Sequence, residues 1–63
     1  MIKTSGTFTD HESNSAAFWS VRSVDGRIAV SLSVQSDGDL DVAMDVATAR
    51  AMATALLVLS ADE

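Results

Sequence analysis

Residues 16–44, AAFWSVRSVDGRIAVSLSVQSDGDLDVAM, decide the fold. Two Asp-Gly pairs, Asp25-Gly26 and Asp37-Gly38, separate three runs in which apolar and small polar residues alternate. Asp-Gly between alternating runs is the strongest short-range hairpin signal, because the tightest hairpin turns need residues that accept φ > 0. A two-residue turn at Asp25-Gly26 sets Ser23 opposite Ile28, Val21 opposite Val30, Trp19 opposite Leu32 and Ala17 opposite Val34, so that one face is almost wholly apolar. The other face receives Phe18 with Ser33, Ser20 with Ser31, Arg22 with Ala29 and Val24 with Arg27. A slip of one residue would mix the two sets, so turn chemistry and pattern agree independently.

The second turn needs another length. A two-residue loop at Asp37-Gly38 would set Leu40 against Gln35 and Val42 against Ser33, which the pattern rejects. A three-residue loop Ser36-Asp37-Gly38, with Gly38 in the left-handed position of a bulge, places Leu40 opposite Val34, Val42 opposite Leu32 and Met44 opposite Val30. Upstream, Ile2 to Thr9 is rich in β-branched residues and reads as a further strand beside Ala16 to Ser23, across a polar loop from Asp10 to Ser15. Its Ile2, Thr4, Gly6 and Phe8 share one face, and Gly6 weakens the strand or marks a bulge.

Downstream the period changes. Asp45 is placed as an N-cap, where its carboxylate accepts a backbone N–H, and a helix follows from Val46 to about Ser60. Its main stripe is Ala49, Met52, Ala53, Leu56 and Leu59, expected to lie on the sheet face of Trp19, Val30, Leu32 and Val42. The expected fold is α+β, a three- to four-stranded antiparallel β-meander with one C-terminal helix packed on one face, and residues 1–63 form a single domain.

Length and composition limit what such a domain does. A chain of 63 residues buries only about 60% of the surface its unfolded form exposes, and with no cysteine it has no disulfide or thiolate metal site to staple it. Association with itself or with another protein is the remedy this composition points to. The net charge of −5 comes from nine acidic residues against the scattered Lys3, Arg22, Arg27 and Arg50. Direct nucleic-acid binding and attachment to an anionic membrane both need clustered basic residues, so neither is expected. The N-terminus shows no apolar signal-peptide core, and Ala51 to Leu59 is too short to span a bilayer, so a cytoplasmic location is expected.

No catalytic, cofactor-binding or metal-binding residues are assigned, and a non-enzymatic role is expected. The run Asp37-Gly38-Asp39-Leu40-Asp41 suggests a calcium loop, but the sixth and twelfth positions from Asp37 hold Val42 and Thr48 where an EF-hand needs Gly and Glu. Asp10-His11-Glu12 sets the only histidine between two carboxylates, without the further His or Cys that a catalytic zinc site usually takes and without the scaffold of a nucleophilic relay. Arg22 and Arg27 flank the first hairpin, where cross-strand support of an exposed face suffices to explain them. Glycine-rich phosphate loops, nucleophile elbows and H-E-x-x-H are absent.

Two surfaces remain as candidates. Ala47, Ala51, Ala55 and Val58 form an apolar strip on the back of the helix, where a monomer normally shows charge, and a helix apolar nearly all round is usually buried on both sides. Phe18, on the small polar face of the sheet, is either a contact residue or covered by the N-terminal segment. The interface candidates are therefore Phe18, Ala47, Ala51, Ala55 and Val58, serving a self-associating module expected to be a symmetric dimer. An alternative acidic patch of Asp37, Asp39, Asp41 and Asp45 would suit an inhibitor that occupies a basic, nucleic-acid-binding groove on another protein.

In its last forty or so residues the chain resembles the small proteins of actinobacteria and their phages. The residues concerned are Ala49-Arg50-Ala51-Met52-Ala53, then Leu56-Leu57, then Ala61-Asp62-Glu63. The resemblance implies an accessory factor of phage or bacterial origin that binds other proteins, and it brings no catalytic residues.

Overall fold

A computed structural model describes residues 3–63, in which strands β1 (Lys3–Asp10), β2 (Ser15–Val24), β3 (Arg27–Val34) and β4 (Gly38–Met44) are followed by helix α1 (Val46–Ser60). The strands form one antiparallel sheet in the order β1-β2-β3-β4, the expected meander with its C-terminal helix. Ile2, assigned to the first strand from the sequence, lies outside the described residues.

The β2–β3 register is the expected one, with Val21 opposite Val30 and Trp19 opposite Leu32. It is set by a turn in which Asp25 has φ 51° and Gly26 φ 77°, the two left-handed residues of a type I′ hairpin whose twist matches that of its strands. A Cβ at Gly26 would meet no neighbour, so Gly26→Ala should cost backbone strain alone, about 1–2 kcal/mol, read as a lower urea midpoint.

The β3–β4 register corrects the expectation by two residues. Leu32 faces Leu40, Val30 faces Val42 and Ile28 faces Met44, with Gly38 opposite Val34. The loop is Gln35-Ser36-Asp37, closed by the Asp37 N–H donating to the Val34 carbonyl at 3.1 Å, and Gly38 opens β4 at φ 93°. Side chains alternate with period two, so a shift of two leaves every residue on its face and the hydrophobic pattern cannot detect it. What changes is the pairing: Ile28 gains Met44, and the Ser33 hydroxyl donates to Asp39 Oδ1 at 2.6 Å.

β1 pairs within its own sheet along its whole length, Thr4 with Val21, Gly6 with Trp19 and Phe8 with Ala17. Gly6 makes no bulge. The Trp19 indole occupies the space over it, since a Cβ there would sit 2.7 Å from Nε1 and 3.0 Å from Cε2.

α1 starts at Asp45, whose carboxylate accepts the Thr48 N–H at 2.7 Å and satisfies one of the donors that a helix N-terminus leaves free. At its other end the Ser60 hydroxyl and the Ala61 N–H both donate to the Leu57 carbonyl, at 3.0 and 3.2 Å. Hydrogen bonds from Thr48 hold the Asp45 carboxyl below its ordinary value of 3.8. A carboxylate depressed in the fold stabilises it fully above the unfolded pKa and loses that contribution as pH falls through the folded one. Cap stability should therefore decline below about pH 4. In Asp45→Asn, which keeps an acceptor but cannot titrate, the acid decline of the thermal midpoint should be shallower than in the parent.

The core is thin. Among the described residues Ala17 and Ser20, on opposite faces of β2, are buried, and no large side chain is fully enclosed. The accessible surface is 5006 Å², against about 3,900 Å² expected for a compact chain of 6.6 kDa. The radius of gyration of 12.8 Å likewise exceeds the roughly 10.6 Å of a compact domain of this length.

Candidate functional site

Strand alternation sends Trp19, Val21, Ile28, Val30, Leu32, Leu40, Val42 and Met44 to one face of the sheet. A sheet face this apolar requires a cover, and α1 supplies one over part of it only. The helix meets the sheet chiefly along β3, and none of its residues is buried. Between the two lies a cleft of about 500 Å³, open to solvent, whose floor is Val21, Ile28, Val30 and Met44. Its roof is the expected helical stripe, Ala49, Met52, Ala53 and Leu56, and Arg50 also borders it. The helix thus presents the face the sequence indicates, but the cover stops short.

Two apolar areas are left open. On the sheet, Leu40 is 57% exposed, with Leu32, Val42 and Phe8 also exposed. On the helix, Leu56, Leu57, Val58 and Leu59 are 60–72% exposed. Successive helical residues are separated by about 100°, so these four surround the helix completely. Each would contribute about 1.5–3 kcal/mol if buried, and most of that is unrealised in the isolated chain.

The interface candidates fall on separate surfaces. Ala47, Ala51, Ala55 and Val58 are all exposed on α1. Phe18 is exposed on the opposite face of the sheet, beside Thr7 and Ser33. β1 lies alongside Phe18 as a neighbouring strand rather than over it, which leaves the ring uncovered. Leu40, Leu56 and Leu59 were expected to help form the core and instead, with Leu57 and Val58, are among the most exposed apolar side chains. The signal was present in the unbroken run Leu56-Leu57-Val58-Leu59, which no single helical face can accommodate.

The acidic candidates are likewise divided. Asp39 and Asp41 project from β4, an edge strand, on the face opposite the apolar one, opposite Ser33 and Ser31. Asp37 lies in the turn, and Asp45 is engaged as the helix cap. Charge along an edge strand discourages pairing with another chain there.

The Asp10-His11-Glu12 segment is ordered by Asp10, which accepts the Ser13 hydroxyl at 2.6 Å and the Glu12 and Ser13 N–H groups at 3.3 Å. Those bonds, that from the Ser13 hydroxyl foremost, lower its pKa. Asn14, at φ 58°, completes the turn by donating its N–H to the Asp10 carbonyl at 2.7 Å. The hydroxyls of Ser13, Ser15 and Ser36 continue the chain at 2.8 and 3.0 Å, tying the β1–β2 loop to the β3–β4 loop. Asp10 is thus a turn-forming residue. Among the described residues no three of His, Cys, Asp and Glu are grouped to hold a metal ion, and no helix is long and apolar enough to cross a membrane.

No family model, curated protein or solved structure matches the chain.

Proposed function

We propose that the protein is a non-enzymatic interaction module that acts by associating with a second copy of itself through its open apolar face. One observation carries this reading. The chain exposes about 1,100 Å² more than a compact protein of its mass, and a stable complex of standard size buries about 800 Å² per partner. The apolar sheet face and the end of α1 offer exposed apolar side chains toward that area, whereas soluble monomers rarely leave such patches uncovered. A dimer supplements the thin core of a chain that has no disulfide, and closed symmetric dimers are the commonest oligomers.

Association coupled to folding makes stability depend on concentration. The thermal midpoint should rise steadily between low-micromolar and millimolar protein, and a midpoint independent of concentration would contradict the reading. The acidic-inhibitor reading draws on Asp37, Asp39 and Asp41, which lie on or beside the edge strand, away from the apolar face. Changing all three to Asn should leave the concentration dependence in place. If it is abolished instead, the acidic edge and not the apolar face is the contact surface.

A further inference from the structure

The last turn of α1 has no seat on its own sheet. The helix is about 22 Å long, and its residues as far as Leu56 roof the floor of Val21, Ile28, Val30 and Met44, while Leu57, Val58 and Leu59 lie beyond that cleft. The remaining part of the apolar face, around Leu32, Leu40 and Val42, lies outside the cleft as well and is exposed. Every chain therefore carries both a projecting apolar segment and an uncovered apolar floor.

Resting on the self-association reading, we propose that the two copies are reciprocally clasped: Leu57–Leu59 of each lies across the Leu32, Leu40 and Val42 floor of the other about a two-fold axis. A two-fold contact requires that each surface find its complement on an identical chain, and segment and floor meet that requirement. Charge placement supports it. The register puts no charged residue from 16–44 on the apolar face, because Arg22, Arg27, Asp39 and Asp41 all project from the other side. No charged residue lies between Arg50 and Asp62 on the helix side. Asp10 shares the apolar face only at the end of the edge strand β1, and two copies of net charge −5 can stack with Asp39 and Asp41 facing outward, where water screens them. Two helices packed back to back through Ala47, Ala51 and Ala55 would leave both floors open.

The absence of cysteine makes thiol cross-linking specific. Leu59→Cys and Leu40→Cys proteins are mixed under reducing conditions, allowed to exchange, and oxidised, with Ala47→Cys replacing Leu59→Cys in a parallel mixture. Disulfide-linked dimers between positions 59 and 40, at least tenfold more abundant than between 47 and 40, are expected. A dimeric protein that links 59 to 59, or that shows no preference for 59 over 47, overturns the clasp and leaves self-association standing. A monomeric mixture overturns both.

Discussion

Leu40→Asp should convert the protein to monomers, weakening association by at least about 100-fold. In the isolated chain Leu40 is 57% exposed, and substitution at a surface position with no partner usually changes stability by no more than about 0.5 kcal/mol. Covered by a second copy, the same leucine contributes about 1.5–3 kcal/mol of burial, and an aspartate in its place would also have to be desolvated without a partner. Symmetry makes each substitution count twice. Sedimentation of the variant beside the parent separates the alternatives, since an unchanged mass would show that nothing covers Leu40. Asp39→Leu, on the opposite face of the same strand, is the control and should remain associated.

Gly6→Ala should produce the largest loss of intrinsic stability from a single methyl group. The new Cβ would sit 2.7 Å from Trp19 Nε1, inside van der Waals contact with a rigid ring, so either the indole or β1 must move. Overpacking of this kind costs about 1–3 kcal/mol, offset in part by the lower chain entropy of alanine. The remaining loss is large for a chain whose total stability is expected to be about 3–9 kcal/mol. Urea unfolding followed by the fluorescence of Trp19 reports both the stability and the ring environment. In the double variant Gly6→Ala with Trp19→Val, the alanine should cost much less than it does beside the indole, a non-additivity diagnostic of direct contact. Equal costs in both backgrounds would place the indole elsewhere.

The elements that could be read from the sequence are those fixed by local chemistry. Asp25-Gly26 set the β2–β3 register because only one turn length satisfies both its backbone and the alternation of its flanks. Asp45 was identifiable as a cap because a carboxylate before a helical run has an obvious donor to accept. The β3–β4 register was missed by two residues, since alternation is blind to even shifts and the choice between Ser36-Asp37-Gly38 and Gln35-Ser36-Asp37 rests on backbone geometry. Gly6 looked like a flaw in β1, and its role emerged only when pairing set it beside Trp19, a contact across thirteen positions of sequence. The open surface was the least legible part. A pattern of apolar residues tells which face must be covered and not what covers it, so Leu32, Leu40 and Leu56 were assigned to a core that this chain only partly builds. The apolar back of α1 did signal a second contact, but it directed attention to Ala47 and Ala51 rather than to the leucines at the far end.

On the proposed reading, this apolar face is completed by an identical chain. Sedimentation equilibrium of the unmodified protein at micromolar concentration tests it most directly. A mass twice the 6.6 kDa of one chain is expected, dissociating on dilution together with loss of helical circular dichroism. A species of 6.6 kDa that keeps its sheet, its helix and a cooperative unfolding transition would contradict it.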